Sequence, residues 1–386
     1  DDVYKTSKIG DVNGDGIDDF VLIGAKVKDT GGAVTYIFFG KEKGAEWNAA
    51  YTFSDADVKL TIGSIYSRFE VSISGIGDFN NDGINDFVIG APYQDQNGGA
   101  FLILGRDSWD QDITIADTFD SYLDGTDGMA ITAQEYILEN SSYGDIKSGG
   151  LFGISISGAG DMNKDGFDDI IIGVPEMNYY DKKTGGAFLI FGKSEVPATF
   201  EVSNVDGING VFLNPVEVAG YYDQIGKQVA GVGDINNGYD DVVLGSDRTE
   251  TVLLYGKATW SASHKVNSNG LKINASVNQL FKLGDFNNDG IDDLVLGTTG
   301  SYNIMFGSSN FSNIWRYNYA LPILNPAYGE FDGVKGVSID IARTSGGSIG
   351  ETTLGVAGDV DGDGKIDLIM GDTAYGESNQ GISRVL

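Results

Sequence analysis

The 386-residue sequence contains no cysteine. Thiolate nucleophiles, disulfide staples and thiolate-held metals are thereby excluded, and the redox compartment leaves no trace in it. It contains one histidine, His264, in the polar stretch Ser261-Ala262-Ser263-His264-Lys265. No Ser/His/Asp arrangement can be built from that, and the residue is expected at the surface. No run approaches the ~20 apolar residues of a membrane span, and no long segment shows apolar residues at helical spacing. The start, Asp1-Asp2-Val3-Tyr4-Lys5, has neither a basic nor an apolar leader region, so the chain is expected to begin after processing or trimming. Basic residues are scarce: 25 against 56 acidic ones, a formal charge of −31. Such a surface repels phosphate backbones and excludes nucleic acid as a partner. Phosphate-cradling loops are absent too, Gly31-Gly32 and Gly185-Gly186 being expected in hairpin turns.

What is present is glycine and aromatic side chains: 57 Gly, 20 Phe and 19 Tyr against only 6 Pro. That composition describes a turn-rich all-β chain. Its organising stretch is Gly77-Asp78-Phe79-Asn80-Asn81-Asp82-Gly83-Ile84-Asn85-Asp86, followed by the apolar run Phe87 to Ile89. Oxygen-bearing side chains stand at loop positions 1, 3, 5 and 9 (Asp78, Asn80, Asp82, Asp86), with Gly83 at position 6. Calcium takes six to eight oxygens, and a short loop supplies them by alternating side chains and then turning at glycine. The backbone carbonyl at position 7, Ile84, is the expected additional ligand.

The pattern recurs. Asp11, Asn13, Asp15 and Asp19 repeat it, with Ile17 at position 7. So do Asp161, Asn163, Asp165 and Asp169 with Phe167; Asp285, Asn287, Asp289 and Asp293 with Ile291; and Asp359, Asp361, Asp363 and Asp367 with Lys365. A sixth copy, Asp234 to Asp241, is one residue short and lacks the position-5 aspartate. Asp/Gly turns alone would not hold this spacing, and self-similarity on this scale marks a repeat architecture. Each loop follows an alternating segment and precedes a short apolar run, a β-branched and aromatic run and a fourth run such as Val58 to Ile62 or Val211 to Asn214. Four short strands per repeat, with the loop between first and second, make a propeller blade. One such fold over residues 1–386 is expected, with no linker or domain boundary.

Leu151-Phe152-Gly153-Ile154-Ser155-Ile156-Ser157, through Gly160-Asp161 to Gly173-Val174-Pro175, resembles the FG-GAP repeat of integrin alpha-subunit propellers and of many bacterial surface and secreted proteins. Gly90-Ala91-Pro92 and Ile225-Gly226 carry parts of the same motif. The resemblance implies a β-propeller with calcium between first and second strands. The family usually has seven blades; six loops are present here, so six blades are expected, with seven as the alternative.

Calcium is therefore expected at the five intact loops and absent or weak at Asp234, in a structural role. Extracellular modules bind calcium in the 10⁻⁴–10⁻³ M range, which places the chain outside the cell or on its surface. Its expected role is a structural or adhesive module. The alternatives are a module binding a glycan or protein, as the integrin head does, and a polysaccharide-acting hydrolase using paired carboxylates. Trp47, Trp109, Trp260 and Trp315 share an offset after the third strand and are expected to pack there rather than bind sugar. Two polar insertions, Gln134 to Gly149 with Tyr136 and Tyr143, and Ala320 to Phe331 with Tyr328, are better candidates for partner contact. Tyr317 and Tyr319, just ahead of the second, are grouped with them. Asn140, Asn274 and Asn310 begin glycosylation sequons. The last repeat stops in its third strand: internal closure by Asp1 to Lys8 is one expectation, and head-to-tail strand addition between copies, or docking on a flanking segment, is the other.

Overall fold

A computed structural model describes residues 3–24, 33–42, 50–62, 71–93, 98–115, 123–133, 150–179, 182–215, 224–246, 250–266, 269–273, 276–298, 301–310, 335–340, 352–360, 362–372 and 382–385, with single positions 44, 45, 48 and 248. The first repeat supplies β1 (Val3–Gly10), β2 (Asp19–Gly24), β3 (Ala33–Phe38) and β4 (Val58–Ile62). The second supplies β5 (Ser72–Gly77), β6 (Asp86–Ala91), β7 (Gly99–Ile103), β8 (Asp112–Ile115) and β9 (Gly128–Thr132). The third supplies β10 (Ile156–Gly160), β11 (Asp169–Gly173), a two-stranded hairpin of β12 (Asn178–Tyr179) and β13 (Lys182–Lys183), β14 (Ala187–Ile190), β15 (Thr199–Glu201) and β16 (Gly210–Asn214). The fourth supplies β17 (Gln228–Gly233), β18 (Asp241–Gly245), β19 (Thr251–Leu254), β20 (Ser263–Lys265) and β21 (Gly270–Ile273). The fifth supplies β22 (Gln279–Gly284), β23 (Asp293–Thr298), β24 (Ser301–Met305) and β25 (Gly336–Asp340), and the sixth β26 (Thr352–Gly358), β27 (Asp367–Asp372) and β28 (Ile382–Val385).

The protein is an all-β propeller. Each loop repeat opens one sheet, in which four of its strands pair antiparallel in chain order, as in β22-β23-β24-β25; among the described residues the sixth sheet has three. Three strands depart from that rule. β8, β15 and β20 come from the second, third and fourth repeats but pair parallel with β4, β9 and β16 of the preceding sheet. They are short, half-solvated edge strands, and their sequences carry no separate signal. The inner strands β1, β5, β10, β17 and β22 pack on one another in turn.

Alternation along the second strand of each sheet explains the stacking. Side chains point to opposite faces in succession. In β11, Ile170 and Ile172 enter the core shared with sheet two, and Ile171 enters the core shared with sheet four. β6 divides the same way, Phe87 and Ile89 towards sheet one and Val88 towards sheet three. A strand covered on both faces needs a continuous apolar run, and every position-9 aspartate leads directly into one. Burying each such side chain contributes roughly 1.5–3 kcal/mol.

The Phe-Gly and Gly-Ala-Pro segments meet across successive sheets. Within the third repeat Gly153 N–H donates to Gly173 O at 3.1 Å, and from the second repeat Ser72 Oγ donates to Gly153 O at 2.7 Å. A Cβ on Gly90 would lie 2.1 Å from Gly153 O, and one on Gly173 would lie 1.9 Å from Gly226 O. Glycine at the end of the second strand therefore permits backbone-on-backbone stacking of neighbouring sheets. Gly185-Gly186, in the connection that joins the antiparallel β11 and β14, also belongs to this contact: Gly185 bridges Ile225 of the next repeat. Gly31-Gly32 lies outside the described residues.

His264 departs from the surface position expected of it. It is buried in β20, whose alternation is out-in-out, and stands edge-on to Trp260 with centroids 5.1 Å apart. Lys257 Nζ lies 3.1 Å from His264 Nδ1. The polar neighbours that suggested exposure are the outward residues of the strand. Trp260 packs against the core between sheets three and four, and Trp109 against that between sheets one and two. Trp47, Trp315, both insertions with their tyrosines, Tyr317 and Tyr319, Asn140 and Asn274 lie outside the described residues.

Candidate metal loops

Four of the loops close by the same set of hydrogen bonds. In the second, both Asp78 carboxylate oxygens accept backbone N–H groups, Oδ1 from Asp82 at 3.0 Å and Oδ2 from Gly83 at 2.8 Å. Asn80 Oδ1 accepts from Asp82 N–H, and Asp82 Oδ1 from Ile84 N–H at 2.9 Å. The first, third and fifth loops repeat these contacts through Asp11, Asp161 and Asp285. In the last, Asp359 accepts from Gly364 N–H and Asp363 from Lys365 N–H; Asp361 lies outside the described residues. Two left-handed residues make the turn. Position 4 has positive φ in every copy: Gly14, Asn81, Lys164, Asn237, Asn288 and Gly362. Position 6 is the left-handed glycine of the five intact loops.

The position-9 aspartate lies beneath the loop. Asp86 Oδ2 accepts from Phe79 N–H and Oδ1 from Gly105 N–H, both at 2.8 Å, which ties the loop to the end of the third strand. Asp19, Asp169, Asp241 and Asp293 make the equivalent pairs. All five are buried. Burial pushes the Asp86 and Asp241 carboxyls up to about 8 and those of Asp19 and Asp293 up to about 6, and it pushes Asp169 well up. Backbone N–H bonds oppose the rise, and neighbouring loop aspartates add to it.

The copy at Asp234 keeps the buried carboxylate, Asp241, and the turn bond from Gly238 N–H to Asp234 Oδ1 at 2.7 Å. It lacks the left-handed glycine and the position-5 carboxylate. Lys282 Nζ stands beside it, paired with Asp292 Oδ2 at 2.8 Å.

A residue that the loop pattern passed over joins consecutive sheets. The side chain at position 8 reaches back to the preceding loop and accepts the N–H of its first residue. Asn85 does so for Asp11 at 3.0 Å, Asp168 for Asp78 at 2.8 Å, Asp240 for Asp161 at 2.8 Å and Asp292 for Asp234 at 3.2 Å. Its signal was an acid or amide before the position-9 aspartate in every copy but the last, where Ile366 stands.

The donor set of an intact loop consists of carboxylates, one amide and a carbonyl, the hard oxygens that calcium takes. The groups acting on each buried position-9 carboxylate are other aspartates rather than cations, so the residues present suit a divalent cation. Among the described residues, no group of three or more His, Cys, Asp or Glu side chains is gathered as a ready metal cage. The loop oxygens are turned onto the loop's own amides.

Comparison with known proteins agrees with this geometry. The FG-GAP repeat matches residues 71–104 and 152–190, the second and third loops with their flanking strands. Integrin alpha-5 of Xenopus laevis is 28% identical over 248 residues, 64% of this chain and 20% of that protein. Integrin alpha ina-1 of Caenorhabditis elegans is 27% identical over 184 residues, 45% of this chain and 14% of that protein. Integrin alpha-PS5 of Drosophila melanogaster is 31% identical over 170 residues, 43% of this chain and 14% of that protein. The matched region is a fifth or less of these relatives' length. The chain carries FG-GAP repeats and is an integrin alpha-like β-propeller. No helix among the described residues is long and apolar enough to cross a membrane.

Proposed function

We propose that residues 1–386 form one calcium-stabilised, non-enzymatic propeller domain that serves as an adhesive or structural module outside the cell or on its surface. The observation that carries this reading is the recurrence of one loop construction. Carboxylates at positions 1 and 5 are folded into a left-handed turn above a buried carboxylate at position 9. The likeness to integrin alpha subunits supports the adhesive role. Asp11, Asn13, Asp15 and Asp19, and their counterparts in the other four intact loops, would hold the ion with the position-7 carbonyl. Calcium there offsets the repulsion among loop carboxylates and couples its binding to folding. The sugar- or protein-binding alternative would use the outer surface of the same module.

Calcium titration of the purified, chelator-treated chain by calorimetry tests the reading. Binding near five ions per chain, lost loop by loop in Asp82→Ala and Asp289→Ala, is the expected result. A chain that binds no calcium at millimolar concentration would sink it.

A further inference from the structure

The first four loops are each completed from the repeat that follows. The position-8 side chain of the following loop accepts the N–H of position 1, as Asn85 does for Asp11 and Asp168 for Asp78. In these two loops the backbone joins in. Asn85 N–H donates to Asp11 O at 2.9 Å, and Asp168 N–H to Asp78 O at 3.2 Å. Position 1 is thus held at both its N–H and its C=O. Position 2 is held as well: Arg106 N–H donates to Val12 O, Lys193 N–H to Phe79 O, Lys257 N–H to Met162 O and Ser308 N–H to Ile235 O, all at 2.9–3.0 Å. Each of these donors follows the glycine whose own N–H is accepted by the position-9 carboxylate of the same repeat. Asp86 holds Gly105 in this way, Asp169 holds Gly192, Asp241 holds Gly256 and Asp293 holds Gly307.

Two consecutive residues of one loop, positions 8 and 9, therefore fix the first two residues of the loop before it. Their neighbour at position 7 offers a proposed ligand carbonyl, position 9 is a proposed ligand, and so is position 1 of the loop they fix. The groups that would hold one ion thus bear directly on those that would hold the next.

The series is interrupted twice within the chain. The loop at Asp234 keeps its links on both sides, but it has no position-5 carboxylate and is not among the five proposed calcium loops. In the last loop position 8 is Ile366. Its Cδ1 stands 2.9 Å from a Cβ placed on Gly284, where the carboxylates of Asp168 and Asp240 meet Gly77 and Gly160. An apolar side chain there cannot accept the N–H of Asp285.

We propose that these links couple calcium binding between neighbouring loops, so that the loops at Asp11, Asp78 and Asp161 load as one cooperative group while those at Asp285 and Asp359 load independently. Ordering an unloaded loop against the repulsion of its own carboxylates costs part of the binding free energy. A loaded loop already holds its positions 8 and 9 in place, so the loop before it has less left to order. Linkage makes the effect reciprocal. A loop without metal separates Asp161 from Asp285, and Ile366 separates Asp285 from Asp359. The inference rests on the calcium reading and adds to it a rule for how the sites regulate one another.

The N–H of each position-6 glycine is held by the position-1 carboxylate of its own loop, in Gly16, Gly83, Gly166, Gly290 and Gly364. Its NMR signal therefore reports calcium at that loop. In calcium titrations of the full chain, Asp165→Ala, which empties the third loop, should weaken binding at Gly83 by about fivefold or more and leave Gly290 and Gly364 unmoved. In an Asp168→Ala background the same substitution should no longer affect Gly83. Ile366→Asn adds a link rather than removing one. In that variant Asp363→Ala should weaken Gly290 by about fivefold, which it should not do in the unmodified chain. Glycine signals that follow calcium but ignore Asp165→Ala would overturn the coupling and leave the calcium reading intact. A response of Gly290 to Asp363→Ala with Ile366 in place would overturn the assignment of coupling to position 8. Signals that ignore calcium altogether would overturn both readings.

Discussion

The carboxylate of Asp168 accepts the backbone N–H of Asp78 at 2.8 Å, although the two lie in different loops 90 residues apart. One loop's eighth residue thus closes the preceding loop's first turn. A loop and the sheet behind it form one unit, and four successive junctions use this link.

Removing the link should destabilise the fold. Asp168→Ala leaves the Asp78 N–H without its acceptor and should cost about 1–3 kcal/mol. Asp168→Asn should cost much less, because Asn85 performs the same task with an amide oxygen. Denaturant unfolding of both variants in calcium checks the order.

Calcium should raise the melting temperature by many degrees, because it binds the folded loops and scarcely the unfolded chain. Asp82→Ala and Asp289→Ala should each lower it more than Asn237→Ala, whose loop lacks the position-5 carboxylate. Scanning calorimetry with calcium and with chelator measures this; equal melting in both would contradict it.

Two glycines should differ sharply. Gly166 has a φ of +93° and open space around it, so Gly166→Ala should cost ~1–2 kcal/mol from backbone strain alone. Gly173→Ala drives a methyl to 1.9 Å from Gly226 O, so sheets three and four must separate. A fall in melting temperature several times larger, or failure to fold, is expected for Gly173→Ala.

His264 should set an acid limit to stability. Burial, with Lys257 adding to it, lowers its pKa to about 4 from 6.5. The folded form holds the ring neutral while the unfolded chain takes up a proton below about 6.5, so stability present above that pH is lost as pH falls towards 4. The loss should be roughly 1–3 kcal/mol. As the only histidine, its ring proton gives one resolvable NMR signal, which should not titrate above pH 5. His264→Gln should flatten that part of the stability profile.

The strands are legible in the sequence where an apolar or alternating run stands between turn residues. Val58 to Ile62, buried on alternate residues, forms β4, and the run Ala187 to Gly192, apolar throughout, contains β14. The six loops are legible from spacing alone. What escapes are features decided across sheets. β8, β15 and β20 are three or four residues long, and only their parallel partners in another repeat make them strands. His264 reads as a surface residue because its neighbours are polar, although alternation in so short a strand turns one side chain inward. The position-8 cap is written in five copies, but its partner lies in the preceding repeat, which spacing within one loop does not report.

The parallel strands separate two units that repeat proteins often share. The unit of sequence runs from loop to loop, but a sheet is finished only by a strand lying beyond the third strand of the following repeat. A cut between repeats one and two leaves sheet one without β8, and sheets two and three depend likewise on β15 and β20. Sheets one to four are stitched as overlapping tiles, and deleting repeat two, three or four damages two sheets. Under tension along the chain, the first four repeats should yield together as one mechanical block.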